Sequence, residues 1–409
     1  MDIFISHNKS RISGELQITG SKSESNRLLI LKALYSSLSV NNLSNSDDTQ
    51  VMQKALSTKE EIVDIHHAGT AMRFLAAYFA SCEEREVVLT GSKRMKERPV
   101  KLLVDALRSL GAEIFYEENE GFPPLRIKGK KLEKNKVRVQ ANISSQYVSA
   151  LMLIAPSLPD GLEITLDGQI TSAPYISMTL EILQNAGVKG EFKNNRIKIQ
   201  PEKDLPSKTI NIESDWSSAS YFYSIAAICE EAEIKLSNYR KTSLQGDSCL
   251  ARIYKNFGVT TEYLQDSIIL HKKPCKKPKS ISENLQNSPD IAQTIAVTCL
   301  ALGIGCQLGG LHTLKIKETD RLVALKTEME KFGARVDITQ DSLRLFPVKE
   351  LAKDVSVETY NDHRMAMAFA PLALKTGFRI NDAAVVSKSY PSFWGDLEKL
   401  KFSVKQADK

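Results

Sequence analysis

The 409-residue chain has no run approaching the ~20 consecutive apolar residues of a membrane-spanning helix. Its opening, MDIFISHNKS, has neither the apolar core of a secretion signal nor the arginine-rich pattern of a transit peptide, so a cytoplasmic protein is expected. The six cysteines (Cys82, Cys229, Cys249, Cys275, Cys299, Cys306) form no CxxC pair and show no zinc-ligand spacing, which argues against a disulfide framework and against structural metal. Also missing are GxxxxGK[ST], a GxGxxG turn after a strand, and GxSxG, the usual signatures of nucleotide phosphoryl transfer, hydride transfer and esterase chemistry. Charge of one sign is not in large excess: 55 basic against 49 acidic residues leave +6, too mild for a nucleic-acid coat yet suited to small polyanions. The densest basic run, HKKPCKKPK at 271–279, contains two prolines and no aromatic residue, and reads as a solvated loop. No low-complexity linker interrupts the chain.

What is present is a length that one hydrophobic core seldom serves, so two domains are expected. A repeat is written in helix ends: LVDALRSLGAEI around Gly111, LEILQNAGVKGEF around Gly187, LARIYKNFGVTTEY around Gly258 and LKTEMEKFGARVDI around Gly333. Each is an amphipathic helix, a glycine suited to the left-handed stop, and a strand of period two. Weaker copies lie near Lys401 (LEKLKFSV) and, without the glycine, near Ser57 (VMQKALSTKEEIVDI). Six such units, three to a domain, imply an α/β fold of duplicated supersecondary units rather than a solenoid. The best seam is near residues 213–218, with Asp215 and Ser217 as helix caps, giving 20–213 as one domain and 1–19 with 214–409 as the other.

Residues 20–27 read GSKSESNR immediately before an apolar stretch of helical spacing. A helix start offers unpaired N–H groups and the positive end of the dipole, and Lys22 and Arg27 add full charges, so the segment suits a phosphate or carboxylate. Ser23 or Ser25 as a plain helix cap is the competing reading. Similar starts recur at HHAGTAMR (66–73), RMKERP (94–99, with Pro99 suited to a first helical turn and Arg98 at its exposed cap), NISSQY, TSAPY, KIKETDR and NDHR. Helix N-termini turned the same way in two facing domains would line a positive cleft, in which Asp290 and Glu318 are carboxylates available for proton transfer.

Taken in order, GSKSESNR, AGTAMR, RMKERPV, SSQY, SAPY, QGD, PDIAQT, KETDRL, NDHRMAM and SKSYPSF resemble the segments of the 5-enolpyruvylshikimate-3-phosphate synthases, within the enolpyruvyl transferase family, from about Gln17 to Phe393. The resemblance implies a two-domain inside-out α/β barrel, each domain made of three βαβαββ repeats, with the active site in the cleft between them. It implies transfer of the enolpyruvyl group of phosphoenolpyruvate to the 5-hydroxyl of shikimate 3-phosphate through a tetrahedral intermediate, in aromatic amino-acid biosynthesis. Phosphate is released and neither metal nor organic cofactor takes part. By the same resemblance, Lys22, Ser23, Arg27, Ser144, Ser145, Gln146, Ser172, Tyr175, Asp290 and Lys317 contact shikimate 3-phosphate. Lys22, Gly69, Arg98, Gln146, Arg321, Arg364 and Lys388 contact phosphoenolpyruvate. Asp290 takes the 5-hydroxyl proton, and Glu318 with Lys22 handles the proton on the methylene carbon. The partners implied are these two small anions, with no nucleic acid and no membrane, and the protein is expected to be a monomer.

Three features depart from the family pattern: His67 stands where Asn is usual, Thr313 where Asn often touches shikimate 3-phosphate, and the stretch between Leu56 and Ile65 is short, as if a hairpin were missing. Two other readings stand beside the main one. One is enolpyruvyl transfer to UDP-N-acetylglucosamine, whose enzyme uses a cysteine on a mobile loop, for which no cysteine here is an obvious candidate. The other is an inactive anion-binding relative, which has no need of both Asp290 and Glu318.

Overall fold

A computed structural model describes residues 1–140, 145–168 and 173–407. The chain forms two compact units: Gly20–Ile212, and a discontinuous unit of Met1–Thr19 with Glu213–Lys409. Glu213 belongs to the discontinuous unit, one residue before the seam expected from sequence, and its buried carboxylate accepts from Trp216 Nε1 and Arg240 N there.

Five four-stranded sheets share one plan. In Gly20–Ile212, Ile62–Asp64 runs parallel to Glu86–Thr90, which pairs antiparallel with Leu125–Lys128 and that with Glu113–Tyr116. Lys136–Gln140, Leu162–Asp167, Arg196–Ile199 and Gly190–Lys193 repeat it. The discontinuous unit has three copies, opening on the parallel pairs Arg11–Leu16 with Glu231–Ser237, Ser280–Asn284 with Gly305–Gly309, and Ser356–Val357 with Phe378–Ile380. The last of these closes through Ile3–Ser6 and Ser403–Gln406, which ties the two chain ends together. A parallel pair needs a crossover, here a helix, and the hairpin follows a second helix, giving βαβαββ. Among the described residues the sixth sheet has only its parallel pair, Lys208–Asn211 with Leu38–Asn41.

The glycine stops explain the difference. Gly111, Gly187, Gly258 and Gly333 all have positive φ, between 77° and 110°, and each turns a helix into its hairpin. Lys401 adopts the same left-handed conformation at the fifth copy. At the sixth, Thr58 is extended with φ −73°, and the chain runs directly into Ile62–Asp64 without a hairpin.

Helices line the inside of each unit and sheets cover them. In Gly20–Ile212 the helices include α1 (Lys22–Leu34), α2 (Asp47–Ser57), α3 (Gly69–Ser81), α4 (Ser145–Ile154) and α5 (Ala173–Ala186). In the other unit they include α6 (Trp216–Ile228), α7 (Ala292–Leu302), α8 (Arg321–Lys331) and α9 (His363–Phe369). Every residue of α6, α7 and α9 is buried, as expected of helices apolar on all sides, whereas strands such as Lys136–Gln140 alternate inward and outward. The sheets stay open and separate, so each inside-out barrel is a helix cluster walled by distinct sheets. Where α6 crosses α7, hydroxyls pair in a row: Ser220 with Thr294, and Thr298 with both Ser224 and Tyr254. Among the described residues no helix is long and apolar enough to cross a membrane.

Candidate active site

The first cradle forms at the start of α1. Ser21 caps this helix by accepting from Glu24 N, and neither Ser23 nor Ser25 does so; Ser25 Oγ instead accepts from Ser44 N. Lys22, the first helical residue, would be disfavoured at the positive end of a dipole, and Asp48 on the first turn of α2 offsets it with Oδ2 3.4 Å from Nζ. Arg27 lies one turn inward and is almost wholly buried. Its Nε donates to Thr179 Oγ1 at 2.8 Å, Nη2 to Ser149 Oγ at 3.1 Å and Nη1 to the Ser23 carbonyl at 2.7 Å. The guanidinium also lies over the rings of Phe74 and Tyr175. Burial pulls its pKa down to about 10.

The second cradle joins α3 to the segment ending at Arg98. Gly69 opens α3, and a Cβ there would sit 2.5 Å from Arg98 Nη1, so only glycine lets this guanidinium lie against the helix start. Buried Arg73 fixes the arrangement by donating to the Gly69 carbonyl and to the Pro99 carbonyl, both at 3.1 Å, while Tyr147 OH donates to Pro99 as well. Pro99 precedes the next helix, Lys101–Ser109, whose N-cap is Val100; Arg98 is therefore a loop residue and not a cap. His67 Nδ1 pairs with Ser92 Oγ at 2.8 Å, and Ser92 caps the short helix leading to Arg98. Gln146, near the start of α4, donates to Thr70 Oγ1 at 3.3 Å.

The discontinuous unit concentrates carboxylates and cations. Arg321, the first residue of α8, is 1% exposed and meets three acids. Nε donates to Asp362 Oδ2 at 2.6 Å, Nη1 to Asp290 Oδ1 at 3.0 Å and Nη2 to Glu318 Oε2 at 2.8 Å. Arg364 Nη2 reaches the other Asp290 oxygen at 3.1 Å, and Lys317 Nζ stands 3.8 Å from Oδ1. Asp290 therefore sits among three cations. Burial alone would lower the pKa of both arginines, but the carboxylates outweigh it: Asp362, Glu318 and Asp290 for Arg321, and Asp290 foremost for Arg364. Asp247, of the QGD segment, has its pKa raised as well, by burial and by the Asp290 charge, which for a carboxyl favours the neutral form. Lys388 Nζ donates to the Asn361 carbonyl at 2.7 Å. Thr313 Oγ1 is shut off from solvent and finds no hydrogen-bond partner among the described residues.

A sequence model of the EPSP synthase (3-phosphoshikimate 1-carboxyvinyltransferase) family matches residues 7–58 and 53–397, nearly the whole chain. The chain belongs to the EPSP synthase family. It is 45% identical over 403 residues to a 3-phosphoshikimate 1-carboxyvinyltransferase of Bacteroides fragilis, covering 97% of each chain. It is 38% identical over 425 residues to one of Mannheimia haemolytica, covering 96% of this chain and 97% of the relative. An EPSP synthase structure from Acinetobacter baumannii superposes with a TM-score of 0.80 at 20% identity, over 99% of this chain and all of that one, which supports the fold.

The family match breaks where α2 runs into Ile62–Asp64, the place of the absent hairpin. Of the site residues expected from the resemblance to EPSP synthases, Ser144 and Ser172 lie outside the described residues. The others fall into two groups. Lys22, Ser23, Arg27, Gly69, Arg98, Ser145, Gln146 and Tyr175 belong to Gly20–Ile212, while Asp290, Lys317, Glu318, Arg321, Arg364 and Lys388 belong to the discontinuous unit. Sequence reasoning passed over Asp48, Arg73, Asp247 and Asp362 as site residues, although the last three sit in AGTAMR, QGD and NDHR. An acid one residue into a helix-start motif, where the dipole already favours it, was the signal available for Asp362. The run at 271–279 is only partly a solvated loop: Lys272 ends a strand, is buried, and donates to the Phe257 carbonyl.

Proposed function

We propose that the chain transfers the enolpyruvyl group of phosphoenolpyruvate to the 5-hydroxyl of shikimate 3-phosphate, releasing phosphate, in the cytoplasm and as a monomer. Family membership supports the reaction, and the observation that carries the assignment of roles is Asp290 held between Arg321, Arg364 and Lys317 with Glu318 on the same guanidinium. A carboxylate oriented by two guanidinium groups is placed to accept the 5-hydroxyl proton. The oxygen then bonds to C2 of phosphoenolpyruvate, the carbon that carries the phosphate, while C3 takes up a proton, a step assigned to Glu318 with Lys22. Loss of that C3 proton and cleavage of the C2–O bond to phosphate complete the exchange. Positive charge growing at C2 is favoured beside carboxylates, and charge on the departing phosphate beside cations.

In this reading Ser23, Arg27, Ser144, Ser145, Gln146, Ser172, Tyr175 and Lys317 hold shikimate 3-phosphate, with Thr313 offering its unpaired hydroxyl. Phosphoenolpyruvate rests on Lys22, Gly69, Arg98, Gln146, Arg321, Arg364 and Lys388. Purified protein is mixed with phosphoenolpyruvate in chelator, with shikimate 3-phosphate or UDP-N-acetylglucosamine as acceptor, and phosphate release is followed. Release that depends on shikimate 3-phosphate is expected. Release only with the nucleotide sugar would transfer the chain to the sister reaction, and ligand binding without release would mark an inactive relative.

A further inference from the structure

Two adjacent non-glycine residues, Tyr360 and Asn361, have φ of 53° and 55° immediately before Asp362. Left-handed backbone is tolerated by Asn and uncommon for Tyr, so something else must hold this turn in place. The holding group is Glu328 on α8, whose side chain is fully buried. Its Oε1 accepts from Tyr360 OH at 2.6 Å, and its Oε2 accepts from Glu358 N at 3.0 Å and from Lys331 Nζ at 2.7 Å. Lys331 also donates to the Ser356 carbonyl, so α8 grips the strand before the turn as well. On the other side of the turn, Asp362 caps α9 through Arg364 N at 2.9 Å and grips Arg321, while Lys388 rests on the Asn361 carbonyl.

We propose that Glu328 and Tyr360 are positioning residues for anion binding: they brace the left-handed Tyr360–Asn361 turn, which sets Arg321, Arg364 and Lys388 relative to one another. Three of the cations assigned to phosphoenolpyruvate are indexed on this one turn, Arg321 and Arg364 through Asp362 and Lys388 through a carbonyl. Among the described residues, the hydrogen bonds of Glu328 run to Tyr360, Glu358 and Lys331 and not to these three cations. The inference rests on the assignment of those cations to phosphoenolpyruvate and adds the device that keeps them in register.

The test is Tyr360→Phe in the full chain, which removes one hydroxyl and keeps the ring. The KM for phosphoenolpyruvate is expected to rise about tenfold, with the Kd for shikimate 3-phosphate changed less than twofold and the melting temperature lowered by only a few degrees. Glu328→Gln, which keeps an acceptor for Tyr360, is expected to raise that KM by less than Tyr360→Phe does. Asn361→Ala is expected to weaken phosphoenolpyruvate binding more than Asn361→Gly, since both delete the amide and only alanine resists the left-handed backbone. Equal losses for both substrates, or equal effects of the two Asn361 variants, would reduce the brace to general structural support and overturn the proposal. Arg364→Ala is measured alongside. If it raises the KM for phosphoenolpyruvate while Tyr360→Phe does not, the brace alone fails; if Arg364→Ala leaves that KM unmoved, the assignment of the cations fails.

Discussion

The two units treat buried arginine in opposite ways. In Gly20–Ile212, Arg27 and Arg73 rest on hydroxyls, main-chain carbonyls, a thioether and aromatic rings, and burial pulls both down to about 10. In the discontinuous unit burial also acts on Arg321 and Arg364, yet the acids around them more than reverse it. A buried cation held by neutral groups gains most from an incoming anion. A cation already ringed by carboxylates makes the anion compete for it, and keeps proton acceptors within reach. On the proposed assignment of roles, recognition is thus weighted toward one unit and proton chemistry toward the other.

The largest effect that can break this division is on turnover. Asp290→Ala is expected to lower the rate of phosphate release by about 10²–10⁴-fold, the usual contribution of a positioned acid or base, and Lys22→Met by a similar order. Binding of phosphoenolpyruvate to the Asp290→Ala protein should be retained, because a competing carboxylate leaves Arg321 and Arg364. Unreduced release from either variant would show that the acid–base roles have been given to the wrong residues.

Stability offers the next contrast. Asp362→Ala leaves Arg321 buried with one acid fewer and Arg364 N without its cap, and is expected to cost about 3–5 kcal/mol in urea unfolding. Thr179→Val takes one hydroxyl from Arg27 and leaves Ser149 and the Ser23 carbonyl, so a cost of about 1.5–3 kcal/mol is expected. Equal costs would mean that carboxylate and hydroxyl anchoring are equivalent here, and the contrast between the units would lose its energetic basis.

The repeat plan was legible because it is written locally. Gly111, Gly187, Gly258 and Gly333 each end a helix within a dozen residues of the pattern that announces it, and all four take positive φ. The missing first hairpin was legible for the same reason, as a missing glycine and a short stretch after Leu56. Which strand edges stay open was not, because that depends on how edges meet and not on strand pattern. In the site, residues that open helices, such as Lys22, Gly69 and Arg321, stood out by position. Their supports did not: Arg27 meets Thr179 across 152 residues and Ser149 across 122, and Tyr360 meets Glu328 across 32. No local pattern says which serine or glutamate a buried cation or a strained turn will find.

Alkaline pH sharpens the comparison from another side. Tyr221, Tyr223, Tyr239, Tyr254 and Tyr390 of the discontinuous unit are all buried, and burial raises their hydroxyls well above the ordinary value near 10. In Gly20–Ile212, Tyr35 is raised to about 12 by burial, with Glu202 and Asp204 adding to it. A raised folded-state pKa contributes stability that is complete below the unfolded value and is lost as pH climbs toward the folded one, because only the unfolded chain releases the proton in between. Stability should therefore fall steeply above pH 10. Tyrosinate absorbance should appear together with loss of the circular dichroism signal, and early ionisation of these hydroxyls in folded protein would contradict their burial.

The smallest effect concerns Thr313, whose hydroxyl is buried and has no partner among the described residues. An unmet hydroxyl costs free energy in the free protein, so Thr313→Val, nearly the same shape, should leave the melting temperature unchanged or slightly raised. If shikimate 3-phosphate supplies the missing partner, the same change should weaken its binding about tenfold, some 1.4 kcal/mol, while phosphoenolpyruvate is unaffected. A gain in stability paired with a loss in affinity is what distinguishes a hydroxyl kept for a ligand from one kept for the fold. Loss of stability without loss of affinity would place Thr313 among the structural hydroxyls, with Ser220 and Thr294, and would leave shikimate 3-phosphate to the contacts of Gly20–Ile212 and to Lys317.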